Sequence, residues 1–240
     1  MQIENRIFIV TGASSGIGLS TAVALAERGA KVALLARTRN ALEALSDRLP
    51  GSLPLVVDMT DFAGVRRTIG AVREHYGRID GLVNNAGRSY AAAIEEIEPA
   101  LFDEIFRLNV SGPIVAMQTV IPIMRAQGGG AIVNVNSGTA FMTIPEYGVY
   151  SASKRALLGF SLTARAELEK DGIVVSEVYP SITATNFGKN RMGNPAGGGP
   201  HSDYAKGDPP EFVAGLILEA VEEGKAQYFA NDRLRQLAGA

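Results

Sequence analysis

Short apolar runs alternate along the chain with longer stretches in which apolar residues return at helical spacing. The runs "RIFIV" (6–10), "KVALLA" (31–36), "LPLVV" (53–57), "GLVN" (81–84), "AIVNVN" (131–136), "IVVSEVY" (173–179) and "AQYF" (226–229) are too short for buried helices and read as strands. Most are apolar on both faces, the pattern of a parallel sheet covered by helices on either side. Helical periodicity occupies about 16–28, 40–48, 61–76, 100–126, 150–170 and 210–223. In the first of these Gly18, Ala22 and Leu25 share one face, and Gly29 follows as a C-terminal cap. Strand and helix in alternation predict a doubly wound α/β sheet with right-handed crossovers. The glycine-rich patch "GKNRMGNPAGGGP" (188–200) is followed by a further helix and strand, so it reads as a loop within one domain spanning 1–240.

Composition narrows the chemistry. The chain has 240 residues, 46% of them hydrophobic, enough for a large core. A net charge of -2 with scattered basic residues gives no electrostatic case for nucleic acid or an anionic membrane surface. With no cysteine and only His75 and His201, no metal site is expected; His75 reads as a solvated surface residue, and His201 lies in the glycine-rich loop, where a substrate role is open. The start "MQIENRIFIV" lacks a basic region followed by a long apolar run, and no stretch reaches the ~18 apolar residues of a membrane span. The expectation is a cytoplasmic protein with a small-molecule partner.

The first strand runs through "TGASSGIG" (11–18) straight into a helix. Gly12, Gly16 and Gly18 allow a sharp turn and close approach, and the amides of Ser14, Ser15 and Ile17 at the helix start suit a pyrophosphate. The alternative is a tight turn with no ligand. At the end of the second strand, "LLARTRN" offers no carboxylate for a ribose 2′-hydroxyl; Arg37, with Arg39 beside it, offers a planar cation for a 2′-phosphate. NADP(H) is therefore expected in preference to NAD(H), unless both arginines simply face water.

The stretch "YGVYSASK" (147–154) holds two tyrosines and one lysine. Tyr150 and Lys154 stand four apart at the start of a helix whose Leu157, Phe160, Ala164 and Leu168 keep helical spacing, which places both on one face. An adjacent ammonium and the positive helix start both favour a phenolate, making Tyr150 a candidate acid and base. Tyr147 has Ser151 four residues on instead of a cation and reads as a residue of the substrate mouth. Ser137 closes the fifth strand at the edge where such sheets present ligands, either as a hydrogen-bond donor to substrate or as a turn former.

Together, "TGASSGIG", "NNAG" (84–87), Asn109, Ser137 and "YSASK" (150–154) resemble the short-chain dehydrogenase/reductase family, in order and spacing over about residues 5–185. The resemblance implies a single doubly wound Rossmann domain with a mostly parallel seven-stranded sheet. It implies catalytic Asn109, Ser137, Tyr150 and Lys154, with Asn109 holding a water that links Lys154 to solvent; a satisfied buried amide is the other reading of Asn109. Asp58 would meet the adenine, although "DMTD" equally reads as a helix start. Asn84, Ala86 and Gly87 would line the adenosine ribose and the nicotinamide half, and Tyr150 and Lys154 would also touch cofactor. Pro180, Ile182 and Thr185 would meet the nicotinamide amide and phosphates, with Ser181 standing where the family has glycine and Asn136 where it has a first serine. A homo-oligomer, dimer or tetramer, built on helices at 100–126 and 150–170 is also implied.

Specificity is expected from 138–147 and from a substrate loop at about 186–208. Thr139, Tyr147 and Phe187 are candidate substrate contacts, and Phe141, Met142, Ile144, Met192 and Tyr204 suggest a partly apolar carbonyl or alcohol. Three functions fit these residues: an NADP-dependent carbonyl reductase or alcohol dehydrogenase, an epimerase or dehydratase, and a non-catalytic dinucleotide sensor or scaffold. The intact quartet of Asn109, Ser137, Tyr150 and Lys154 favours the first.

Overall fold

The structure is a computed structural model that describes residues 1–193 and 206–240. In chain order its elements are β1 (Ile7–Thr11), α1 (Gly16–Glu27), β2 (Lys31–Ala36), α2 (Arg39–Ser46), β3 (Leu53–Val56), α3 (Phe62–Tyr76), β4 (Gly81–Asn84), β5 (Tyr90–Ala91), α4 (Pro99–Phe106), α5 (Gly112–Ala126), β6 (Gly130–Val135), α6 (Gly148–Leu168), β7 (Ile173–Tyr179), β8 (Met192–Gly193), α7 (Pro210–Glu223), β9 (Gln227–Phe229) and α8 (Asp232–Ala238). The main sheet has seven strands in the order β3-β2-β1-β4-β6-β7-β9, and every pairing is parallel. Sequence order reverses between β1 and β4, so the crossovers leave opposite faces on either side and a crevice opens at the strands' carboxyl ends.

Two apolar layers sandwich the sheet. On one face Phe8, Val10, Leu34, Val133 and Val178 pack against Ala22 and Leu25 of α1 and Val213 and Ile217 of α7. On the other Ile9, Leu35, Leu82, Ile132 and Val175 meet Val65 and Ile69 of α3 and Val120 of α5. Successive residues of each strand point to opposite layers, so an apolar pattern without alternation is what this sandwich demands. Each fully buried Leu or Ile contributes roughly 1.5–3 kcal/mol.

All seven expected strands and five of the six expected helices are present, with ends differing by a residue or two. The stretch 100–126 is not one helix. It breaks at Arg107–Ser111 into a π turn in which the Gly112 amide bonds the Arg107 carbonyl five residues back. The cause is local: Pro113 has no amide hydrogen for the carbonyl of Asn109, four positions earlier. A β-carbon on Gly112 would also come within 2.9 Å of the Met59 carbonyl, so the small residue lets the kinked helix settle onto the loop after β3. Helix α8 was not anticipated, although Asn231 caps it by accepting from the Leu234 amide at 3.0 Å. Nor was the two-residue β5–β8 ladder, which joins Tyr90–Ala91 to the segment at Met192–Gly193. His201, Tyr204 and the part of the substrate loop at 194–205 lie outside the described residues. Among the described residues no helix is long and apolar enough to cross a membrane.

Gly81 stands beside Phe8 in the β1–β4 register, and a β-carbon there would enter the space of the Phe8 ring. Gly81→Ala is expected to lower the unfolding free energy by about 2 kcal/mol through overpacking of two central strands, measured by chemical denaturation.

Candidate active site

The crevice at the carboxyl edge is a cleft of about 1140 Å³. One end is formed by the turn between β1 and α1. Gly12 and Gly16 take positive φ (68° and 53°), and Gly12, Ser14, Ser15, Gly16 and Ile17 all line the cleft. Ser15, at the N-cap of α1, makes no side-chain cap bond, whereas α3 is capped by Asp61 and α8 by Asn231. The first amides of α1 are therefore left for an anion. Gly18 has a different place: a β-carbon there would strike the Gly12 carbonyl and the Asn85 side chain, so it lets the helix close onto the turn and does not face the cleft. This glycine cradle, with open amides at a helix start, fits the pyrophosphate of a dinucleotide.

The turn is held by residues that sequence reading passed over. Asn85 Nδ2 donates to the Thr11 carbonyl at 2.9 Å and the Gly12 carbonyl at 3.4 Å, while Thr11 Oγ1 accepts from the amides of Asn85 and Ala86 at 2.9 and 3.0 Å. The end of β1 is thereby bolted to the end of β4. The second Asn of "NNAG" was the available signal. Ala86 and Gly87 line the cleft; Asn84 lies below, in β4, donating to Asn134 Oδ1 at 2.8 Å.

At the end of β2, Arg37 projects into solvent beside the cleft, 3.7 Å from Asp58 Oδ2. Asp58 Oδ1 accepts from the Thr60 amide and hydroxyl, both at 2.8 Å. Burial raises the Asp58 carboxyl and is outweighed by those two bonds and the Arg37 charge, which leave it below its ordinary value. Asp58 thus braces the loop and Arg37, and the cap of α3 belongs to Asp61, which accepts from Gly64.

Tyr150 and Lys154 both line the cleft from one face of α6, with Lys154 Nζ 5.9 Å from the centre of the Tyr150 ring. Both residues are 6% exposed. Burial pushes the Lys154 ammonium down to about 8, against the pull of the Glu177 carboxylate, and its Nζ donates to the Val135 carbonyl at 2.9 Å. Ser137, just past the end of β6, reaches the same cleft, and its Oγ accepts from the Thr139 amide and hydroxyl at 3.2 and 3.1 Å. Its hydroxyl hydrogen remains to be given elsewhere.

Asn109 sits in the π turn, 1% exposed, and does not line the cleft. Its Nδ2 donates to the Arg88 carbonyl at 2.9 Å and Ser153 Oγ at 3.1 Å, and its Oδ1 accepts from the Arg88 amide at 3.0 Å. The side chain locks the segment after "NNAG" to α6, one residue from Lys154. A β-carbon on Gly87 would come within 3.1 Å of Asn109 Oδ1, so glycine keeps that packing open.

Pro180, Ile182 and Thr185 complete the wall, and Ser181 Oγ donates to Asp208 in place of the conformational freedom a glycine would offer. Thr139, Met142, Ile144, Tyr147 and Phe187 also line the cleft. The Tyr147 hydroxyl accepts from Arg191 at 3.3 Å, and the Phe187 ring lies 5.9 Å from that of Tyr150. Phe141 instead packs with Tyr179 and Phe229, and Met192 with the cluster around Tyr90. His75 is exposed on α3, its ring edge-on to Tyr76. Helix α8 brings Arg233 and Leu234 to the cleft.

The family model described as short chain dehydrogenase matches residues 6–195. The chain is 34% identical over 200 residues to the D-threitol dehydrogenase of Mycolicibacterium smegmatis, covering 82% of this chain and 77% of that one. A short chain dehydrogenase of Burkholderia cenocepacia, solved with NADP, superposes with a TM-score of 0.84 at 29% identity, covering all of this chain and 93% of its own. A short chain dehydrogenase/reductase from Burkholderia phymatum, solved with NAD, superposes at 0.90 with 23% identity over 99% of this chain and 93% of its own.

Asn85→Ala removes the donor that ties the glycine turn to β4. It is expected to lower stability by about 1 kcal/mol, read from the denaturation midpoint at unchanged slope.

Proposed function

We propose that this chain, which belongs to the short-chain dehydrogenase family, is an NADP(H)-dependent oxidoreductase that interconverts a carbonyl and a secondary alcohol, with Tyr150 as the general acid and base. The observation that carries the reading is the meeting of Tyr150, Lys154 and Ser137 in the same cleft as the open-amide glycine turn. A nicotinamide held in this cleft would supply or accept hydride at the substrate carbon.

The turn from Gly12 to Ile17 would hold the pyrophosphate, and Ala86, Gly87, Pro180, Ile182 and Thr185, which line the same cleft, would flank the rest of the dinucleotide. Asp58 flanks the adenosine end. Arg37 distinguishes the cofactors: a half-screened guanidinium near Asp58 can pair with a 2′-phosphate, and no side chain at Ala36 accepts from a 2′-hydroxyl. Solved relatives carry either NAD or NADP, so the choice rests on Arg37 itself.

Ser137 donates its remaining hydroxyl hydrogen to the substrate oxygen. Tyr150 passes its phenolic proton to that oxygen in reduction and takes it back in oxidation. Lys154, whose ammonium lies 5.9 Å from the centre of the Tyr150 ring, stabilises the phenolate left behind by its positive charge. Asn109 holds α6 in place through Ser153, whose hydroxyl donates to the Tyr150 carbonyl at 2.7 Å. Met142, Ile144, Tyr147 and Phe187 favour a substrate with an apolar flank. Exposed Phe102 on α4 and Phe160 on α6 support a homo-oligomer through these helices.

Tyr150→Phe is expected to reduce turnover by at least about a hundredfold while NADPH binding, followed by fluorescence titration, stays within about twofold. Wild-type turnover in that variant rejects the mechanism. Arg37→Ala is expected to raise KM for NADPH roughly tenfold or more with little change for NADH, compared in paired initial-rate assays.

A further inference from the structure

Strand β7, "IVVSEVY", carries a carboxylate within an otherwise mainly apolar run. Glu177 is 1% exposed and points to the layer that holds α5 and α6, on the same side of the strand as Ile173 and Val175. Its register partners are Asn134 on β6 and Gln227 on β9, and Asn134 in turn stands beside Asn84 of β4. A row of polar residues therefore crosses four neighbouring strands just below the cleft. An apolar side chain at 177 would avoid the desolvation cost of a buried carboxylate, so stability does not explain its presence.

The connections of Glu177 lead to the catalytic helix. Asn136 Nδ2 donates to Glu177 Oε2 at 2.5 Å and to the Lys154 carbonyl at 3.2 Å, while Asn136 Oδ1 accepts from the Ser137 amide at 2.9 Å. One amide thus ties the carboxylate to the backbone of Lys154 and to that of Ser137. Glu177 Oε1 is sealed from solvent without a hydrogen-bond partner.

The groups that face it narrow the electrostatic choice. On α6 the charged ones are Lys154 and Arg165, and the Arg165 guanidinium is taken up by the Val175 and Gly224 carbonyls. Ser161 of α6 and Asn134 of β6 are neutral, as are Met117 of α5 and Gln227 of β9. On β7 itself, burial and the Glu177 charge keep the Tyr179 phenol protonated well above its ordinary range. Lys154 is the cation left for Glu177 to act on.

We propose that Glu177 is a positioning residue for proton transfer: anchored by Asn136 to the backbone at Lys154, it holds the positive charge on Lys154 and so sets the upper pH limit at which Tyr150 works. The inference rests on the acid–base reading of Tyr150 and Lys154 above. Burial pushes the Glu177 carboxyl up to about 7, and Ser161, Asn136, the Lys154 charge and Asn134, in that order, pull it back. Once ionised it raises the proton affinity of Lys154, which burial alone would depress further. As pH rises through the Lys154 value the ammonium is lost, and with it the support for the phenolate. Removing the carboxylate must bring that loss to lower pH.

Two readouts test this in Glu177→Gln, which keeps the side-chain shape and an acceptor for Asn136. The first is the titration of the Lys154 side chain followed by carbon NMR in the protein without cofactor, its signal assigned with Lys154→Arg. The second is the alkaline limb of the pH profile of kcat/KM. Both midpoints are expected to fall together by roughly one pH unit, and Glu177→Asp, which keeps the charge, is expected to restore at least half of the shift. Should Glu177→Gln fail to fold, Asn136→Ser, which severs the tie to Lys154, carries the same two measurements with the same expected direction. A Lys154 midpoint unmoved in a folded variant, or one that moves while the kinetic limb stays fixed, overturns the inference. Retained turnover in Tyr150→Phe overturns the proposed function instead, and the cofactor-free titration tells the two failures apart.

Discussion

An ammonium taken almost wholly out of water is the constraint around which the cleft is arranged. Desolvating a lysine costs several kcal/mol unless the surroundings replace its hydration. Lys154 recovers part of that from the Val135 carbonyl, at the last residue of β6, and part from the field of Glu177. Helix α6 is consequently not free to rotate or slide on the sheet. Ser153, one residue earlier, ties the same turn of helix to Asn109. Tyr150, one turn before Lys154, is delivered to the cleft by the same restraint.

Parallel pairing supplies the second half of the arrangement. Since every strand of the main sheet runs the same way, all the loops that follow them emerge at one edge, and the reversal of order between β1 and β4 leaves a gap there. The glycine turn after β1, Arg37 after β2, Asp58 after β3, "NNAG" at the end of β4, Ser137 after β6 and Pro180 after β7 come from distant parts of the chain and share one crevice. Side-chain bonds then fix the loops to one another: Asn85 to the glycine turn, Asp58 to Thr60 and Arg37, Ser181 to Asp208. The backbone topology brings the residues together, and these short polar contacts determine where each one stops.

The polar row from Asn84 to Gln227 belongs to the same logic. A sheet whose faces are otherwise mainly apolar places the buried amides of Asn84 and Asn134 and the buried carboxylate of Glu177 in a single register line beneath α6. Buried polar groups are costly when unpaired and specific when paired. Here Asn134 bridges Asn84 to Ser161, and Asn136 bridges Glu177 to Lys154, so the register of three strands and the seat of α6 are set by the same bonds.

Sequence alone determined whatever repeats locally: the strands and helices, whose periods of two and 3.6 residues follow from backbone geometry, the glycine turn, and the common face of Tyr150 and Lys154, which four residues of helix guarantee. Even the break at 107–111 was legible in principle, because Pro113 removes a particular amide. Tertiary structure decided the rest. Asn84 and Asn85 are adjacent and chemically identical, yet opposite pointing along the chain sends one under the sheet and the other to the glycine turn. Glu177 could be seen as an odd carboxylate in an apolar strand, but its pairing with Asn136, 41 residues away, exists only in the register of two strands and the helix laid across them. Short-range periodicity is written residue by residue, whereas the charge on a buried side chain depends on which distant groups the packed core sets beside it.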